Sequence, residues 1–206
     1  MAGQPARKAV DPNSPNDPAV EAAFAAVPDT MVDEILGGEL HTMPRPGRRH
    51  TRAASLLGGE LVTRFWRGRG GPSGWVILDE PELHLGPKPD KVVPDLAGWR
   101  AGRMNESVGE DDDLAHSDVV PHWVCEVLSA GTEANDRVKK MLIYRREGVR
   151  HVWLIHPTLR TLEVYRLERS VYPLVDTFGE DQVVRAEPSD ALELPLEVLW
   201  MGPAHA

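Results

Sequence analysis

The chain has little with which to cross-link or anchor itself. Cys125 is its only cysteine, which excludes an intramolecular disulfide and a cysteine-based zinc site. No apolar run approaches the roughly 20 residues of a membrane-spanning helix, and the amino terminus lacks a basic-then-apolar signal pattern. The expected location is therefore the cytoplasm, with no membrane partner. The eight histidines show no paired ligand spacing along the sequence, which speaks against zinc. Net positive charge is also missing: the balance is −9, which at face value argues against a nucleic-acid partner.

What is present softens that last exclusion. The 206 residues suffice for one domain with a substantial core, and 41% apolar with 27% charged residues is ordinary for a globular chain. The charge is unevenly spread. From Asn105 to Asp118 there are Glu106, Glu110, Asp111, Asp112, Asp113 and Asp118 with no basic residue. From Ala134 to Arg150 come Arg137, Lys139, Lys140, Arg145, Arg146 and Arg150 against Asp136 and Glu147. Arg45, Arg48, Arg49 and Arg52 form another basic cluster, and Arg64, Arg67 and Arg69 a third. Such clusters either meet phosphates locally or are solvated helix faces.

Punctuation divides the chain into a proline-rich leader, residues 1–18, expected to be disordered, and a single domain over residues 19–206. Helices are expected over Ala19–Ala26, Thr30–Leu36 and, from the three- and four-residue apolar period, His50–Trp66. Gly37-Gly38 marks a turn before a short strand. Strands follow over Trp75–Leu78, Glu82–Leu85, Val92–Trp99 and His122–Leu128, with the acidic run as an unusually long loop. A helix over Thr132–Glu147 stops at Gly148. A hairpin of His151–His156 and Thr161–Leu167 comes next, then a strand at Tyr172–Phe178, and Leu192–Trp200 closes the domain. This order implies an α/β fold with a mixed central sheet flanked by helices.

Two carboxylates stand out because each interrupts an apolar run. Asp95 follows Pro94 and precedes Leu96; Glu126 lies in Val124-Cys125-Glu126-Val127-Leu128. A buried carboxylate is costly unless paired. In a strand Val124, Glu126 and Leu128 share one face, so a neighbouring strand bearing Asp95 would bring both acids to one end of the sheet. Two hard oxygen ligands suit magnesium, which takes its remaining ligands from water and phosphate. On the next helix Asp136, Lys140 and Tyr144 stack at four-residue spacing, and the Lys140 ammonium could stabilise developing charge or act on a water. The alternative for Asp136 and Lys140 is an exposed helix pair worth a few tenths of a kcal/mol. Cys125 alternates with Glu126 and faces the core.

These residues carry a resemblance. Gly38-Glu39-Leu40, Met43-Pro44 and His50 are followed in order by Pro94-Asp95-Leu96 and Glu126-Val127-Leu128-Ser129. Asp136, Lys140 and Tyr144 come next, then Gly148-Val149, Trp153-Leu154-Ile155, Pro157 and Thr161-Leu162-Glu163-Val164-Tyr165. In order and spacing the chain, from Val32 to Trp200, resembles the Uma-type putative restriction endonucleases, a branch of the PD-(D/E)xK nuclease superfamily. The resemblance implies a restriction-endonuclease-like core and metal-dependent hydrolysis of DNA. It also implies Asp95 and Glu126 as ligands of Mg2+ (with Mn2+ a possible substitute), Glu39 as a further carboxylate, and Lys140 as the catalytic lysine. The superfamily's usual lysine position, two residues after the glutamate, is here Leu128. A symmetric homodimer would suit double-strand cleavage. A nucleic-acid-binding module of the same fold without turnover is the alternative.

Overall fold

The computed structural model describes residues 16–105 and 115–202. Most of the expected leader and the centre of the acidic run lie outside the described residues. The leader's last residues belong to the fold: Asp17 caps helix α1 (Pro18–Ala25), its side chain accepting from Ala19 N at 2.8 Å. Pro18 opens that helix, where its missing N–H is no loss. Asn16 is buried and donates to Glu21 and to Pro89 O.

The first departure from expectation is Thr30–Leu36. Met31–Leu36 is strand β1, paired antiparallel with β2 (Glu39–Pro44) from Leu36↔Glu39 outward. Gly37 and Gly38 both have positive φ, 65° and 84°, as a two-residue type I′ hairpin requires. The paired run before such a turn is a strand. After β2 come helix α2 (Arg48–Leu61), continued by a π-helical turn Val62–Trp66, and strands β3 (Trp75–Asp79) and β4 (Leu83–Leu85).

The expected strand Val92–Trp99 is two strands in two sheets. Strand β5 (Asp90–Val92) pairs with β1 and β4, whereas β6 (Leu96–Arg100) pairs with β3 and β7 (Trp123–Val127). Val93, Pro94 and Asp95 carry the chain between them, and proline, lacking an N–H, suits such a break in the ladder. A short helix α3 (Ala101–Asn105) leads into the acidic run. Beyond β7 the crossover is a π-helical segment Asn135–Lys140 running into α4 (Met141–Glu147), which ends at Gly148 with φ 80°. Strands β8 (His151–His156), β9 (Thr161–Arg166) and β10 (Leu174–Gly179) follow, then a small pair, β11 (Val183–Val184) with β12 (Leu194–Pro195).

The larger sheet runs β10-β9-β8-β7-β6-β3 and the smaller β2-β1-β5-β4. The larger sheet is mixed: β7 and β8 are parallel, joined by the crossover helix, and the other pairs are antiparallel. Alternation decides which side each β7 residue faces. Trp123, Cys125 and Val127 pack with Leu57, Leu61 and Phe65 of α2 and its extension. Val124 and Leu128 face the other way, into a second core with Ile143 and Tyr144 of α4 and with Leu36, Leu83 and Val92 of the smaller sheet. Gly58 lets α2 lie close on β6, since a Cβ there would meet Leu96 at 3.3 Å. Among the described residues no helix is long and apolar enough to cross a membrane.

Candidate active site

Where the chain passes from β5 to β6, the two sheets and the crossover helix meet, and a pocket of about 320 Å3 opens there. Its wall includes Glu34 from β1, Asp95 from the linker, Glu126 from β7, Asp136 and Lys140 from the crossover, and His50 from the first turn of α2. The antiparallel register Leu96↔Cys125 sets Asp95 beside Glu126 one step further along. Asp95 is held by that register: its Oδ2 accepts from Val127 N at 2.7 Å, and its Oδ1 lies 3.2 Å from His50 Nε2. The structure thus brings Asp95, Glu126 and Lys140 into one pocket.

Lys140 is buried at 3% exposure, and its ammonium is surrounded by oxygen. Nζ lies 2.8 Å from Glu126 Oε2, 3.0 Å from Glu34 Oε1, 3.5 Å from Asp136 Oδ1, and donates to Val93 O at 3.1 Å. Glu34 Oε1 also accepts from Val93 N at 2.8 Å, so Glu34 and Lys140 clamp both polar groups of the linker residue. Glu126 Oε1 accepts from Tyr144 OH at 2.5 Å. Asp136, Lys140 and Tyr144 do share one face, but it is a buried one. The exposed Asp–Lys pair is therefore not what the fold contains.

The π-helical turn helps to seat this face. Met141 N bonds to Asp136 O, five residues back, which widens the helix where Asp136 and Lys140 point into the pocket; π turns recur at functional sites. From the same turn Arg137 makes a two-pronged pair with Glu163 on β9, both contacts at 2.8 Å. That pair fixes the helix against the sheet.

The electrostatics follow from burial. Burial pushes the Glu126 carboxyl well above the usual carboxylate range, against the opposing pull of Lys140. Asp136 is raised by the same burial. For Lys140, burial works against the charge, but the carboxylates of Glu126 and Glu34, with Tyr144 and Asp136 behind them, outweigh it and hold its pKa well above that of a free lysine. The Tyr144 phenol is raised by burial and then by Glu126, so it stays protonated as a donor. A lysine this firmly charged is a fixed cation and donor, poorly suited to taking a proton from water.

Glu39 lies elsewhere. It begins β2 with its side chain 74% exposed, 3.4 Å from Lys139 Nζ and 3.8 Å from His41 Nε2, and it does not line the pocket. Glu34, one strand over and buried, lines the pocket instead. Sequence reasoning missed Glu34 because a helix over Thr30–Leu36 gave no reason for its burial. The Gly37-Gly38 hairpin turn was the signal that could have revealed it. His50 lines the pocket, and its Nδ1 is buried without a hydrogen-bond partner.

The donor chemistry fits a hard divalent cation. Five carboxylates, Glu34, Glu80, Asp95, Glu126 and Asp136, line the pocket against two cations, Arg45 and Lys140, a lining rich in hard oxygen donors. Among the described residues, no three of these carboxylates gather their oxygens within 4.8 Å. Two carboxylates with the rest of the shell from water and substrate is what magnesium accepts.

The family described as "Uma2: Putative restriction endonuclease" matches residues 24–197. No curated protein matches the chain. Among solved structures, one titled as a putative nuclease belonging to DUF820, from Anabaena variabilis ATCC 29413, superposes with a TM-score of 0.69 at 24% identity, over 86% of this chain and 94% of that one. At that identity the likeness establishes a shared fold, and the α/β architecture with its mixed central sheet is that fold.

Proposed function

The chain belongs to the Uma2 family of putative restriction endonucleases, and from that premise we propose that it is a divalent-metal-dependent endonuclease hydrolysing DNA phosphodiester bonds in the PD-(D/E)xK manner. The observation that carries this reading is the convergence of Glu34, Glu126 and Asp136 on the Lys140 ammonium, in a pocket that also holds Asp95. Asp95 and Glu126 would hold Mg2+, or Mn2+ in its place, which when bound supplies Lewis-acid activation of water and charge stabilisation at the phosphoryl oxygens. Both carboxylates keep free lone pairs for this, since a carboxylate offers about four acceptor sites.

The chain's own groups do the rest. Val127 N orients Asp95, while Tyr144 and Lys140 orient Glu126. Lys140 holds a fixed positive charge beside the place where charge develops, the kind of preorganised electrostatics that accelerates phosphoryl chemistry. Arg45, from the loop before α2, lines the pocket itself, and on the first turns of α2 Arg49 and Arg52 line a second hollow with Thr158 and Arg160. Arg49 and Arg52 would be the groups that meet the DNA backbone. In the basic run after Ala134, Arg137, Lys139, Lys140 and Arg146 are each tied to carboxylates, as Arg45 is to Glu80.

The test is plasmid cleavage by the purified chain in magnesium. The expected result is cleavage that is lost on chelation and lost in Asp95→Ala and in Glu126→Ala. Cleavage that persists unchanged in both variants would refute the assignment. A second reading, a nucleic-acid-binding module without turnover, is favoured by the full engagement of Glu126: each of its oxygens already has a partner. Salt-dependent DNA binding without cleavage in magnesium or manganese would select it. Two copies related by a twofold axis would place one such pocket on each strand of a duplex.

A further inference from the structure

We propose that His84, His116 and Asp118 form a second metal site, remote from the pocket, that takes a borderline first-row divalent ion of the Zn2+ type. Among the described residues these three alone bring one donor atom each within 4.8 Å of one another. They come from two segments 32 residues apart in sequence, which is why no spacing motif announces them. His84 lies at the middle of β4, the edge strand of the smaller sheet. His116 and Asp118 lie where the chain returns from the acidic run.

The backbone holds the two segments together without any ion. Leu83 and Ser117 form a parallel bridge; His84 N donates to Ser117 O at 3.0 Å, and Ser117 N donates to Glu82 O at 2.9 Å. Trp99 Nε1 then donates to Val119 O at 2.8 Å, anchoring the returning segment to the larger sheet. On this frame the two imidazoles stack, centroids 3.8 Å apart and planes within 10°. The stacked rings bring their nitrogens close but run their in-plane lone pairs parallel, so one ring turns about its Cβ–Cγ bond to close on an ion. The Asp118 carboxylate approaches His116 Nε2 at 3.8 Å. Glu82 Oε1, 2.8 Å from His84 Nε2, is placed like the outer carboxylate that orients many metal-bound histidines.

The donor set selects the ion. Two imidazoles with a carboxylate suit zinc and its neighbours, while magnesium prefers all-oxygen shells and keeps its waters. None of the three residues lines the carboxylate pocket, so the two sites would sort metals by chemistry. An ion here would pin the foot of the acidic run to the sheet edge.

The experiment titrates the chelator-treated full chain with ZnCl2 by calorimetry, and with Co2+ while following visible d–d absorption. The expected result is one tight site that an excess of Mg2+ does not displace and that survives in Glu126→Gln. His84→Gln and His116→Gln each weaken it by more than about tenfold, as loss of even an outer partner costs a metal site about 10–100-fold. Asp118→Asn, a change at an exposed side chain (76%) that leaves folding intact, weakens it measurably and alters the Co2+ spectrum. Absence of Zn2+ binding would overturn the proposal. So would binding unchanged by all three substitutions, or binding lost only in Glu126→Gln. None of these outcomes depends on whether the protein cleaves DNA.

Discussion

Replacing Lys140 by methionine keeps the length and apolar stem of the side chain and removes the charge. Glu34, Glu126, Asp136 and Val93 O then lose a shared donor in a place with almost no solvent: Glu34 and Glu126 are 1% and 2% exposed. Breaking a buried ion pair from one side costs about 3–5 kcal/mol, because the remaining charge is left uncompensated. With an m-value of about 2 kcal/mol/M, the urea midpoint at pH 8 should fall by about 2 M. The loss should depend on pH. The Glu126 and Asp136 carboxyls already sit above their ordinary values through burial, with Lys140 pulling both down. Without Lys140 they rise further. A carboxyl raised in the folded state binds a proton there before it does in the unfolded chain, so stability recovers as pH falls through the folded value. The deficit of Lys140→Met should therefore narrow as pH falls below 8. Lys140 itself, raised in the folded state, contributes fully below the ordinary lysine pKa and loses that contribution only as pH rises through its folded value. Adding Glu126→Gln to Lys140→Met should restore part of the loss, a coupling that a double-mutant cycle reads directly. A deficit under about 1 kcal/mol at pH 8, on the scale of exposed pairs, or one that does not change with pH, would refute the buried-cage reasoning.

Three further outcomes are expected. Glu39→Gln should leave cleavage and Mg2+ affinity unchanged, because that side chain is exposed and outside the pocket, whereas Glu34→Gln should lower both by at least about tenfold, the scale of a supporting metal-site partner; parallel cleavage assays and Mg2+ titrations separate the two. Tyr144→Phe leaves the buried Glu126 carboxyl without one hydrogen-bond partner and should cost about 1–3 kcal/mol in urea unfolding, with cleavage reduced because one Glu126 oxygen is no longer held. Arg137→Met should cost no more than about 1 kcal/mol at pH 7, the pair being partly exposed. In the folded chain Arg137 hydrogen bonds hold the Glu163 carboxyl below its usual value, so the stability it gives is present above the ordinary glutamate pKa and lost as pH falls through the folded one. The difference between wild type and variant should then shrink as pH falls below the ordinary glutamate pKa.

How much of this was legible in the sequence depended on the range of the interactions. Asp95 and Glu126 could be read because each breaks an apolar run, and a local pattern is enough to make burial expensive. The face alternation of β7 was equally legible, and it placed Cys125 and Glu126 on opposite sides. Glu34 was hidden by one local misreading, the helix assigned to Thr30–Leu36, although a Gly-Gly pair between two short runs is a hairpin signal. The burial of Asp136 and Lys140 could not be read from their spacing, since a four-residue stack looks the same on a wet face or a dry one. Packing of the crossover helix against two sheets decided it. The basic run after Ala134 misled for the same reason: Arg137 and Arg146 find Glu163 and Asp90, 26 and 56 residues away, and periodicity carries no such information.

The position two residues after Glu126 ties these points together. Leu128 is 2% exposed and packs with Ile143 and Tyr144 of α4 and with Leu36 of β1. The strand therefore uses that position to seat the crossover helix, and the seated helix delivers Lys140 and Tyr144 back onto Glu126. Moving the ammonium off the strand has an electrostatic consequence. It stands among Glu34, Glu126 and Asp136 and spends its donors on them, so the pocket as a whole keeps more carboxylates than cations. A phosphodiester entering such a pocket alone meets like charge in a poorly solvated place, which costs several kcal/mol. Under the proposed function, then, the arginines at the start of α2 can hold the backbone of DNA without metal, but the scissile phosphate cannot settle against Asp95 and Glu126 until a divalent ion is there. DNA binding outside the pocket should be governed by salt, and entry into it by the metal.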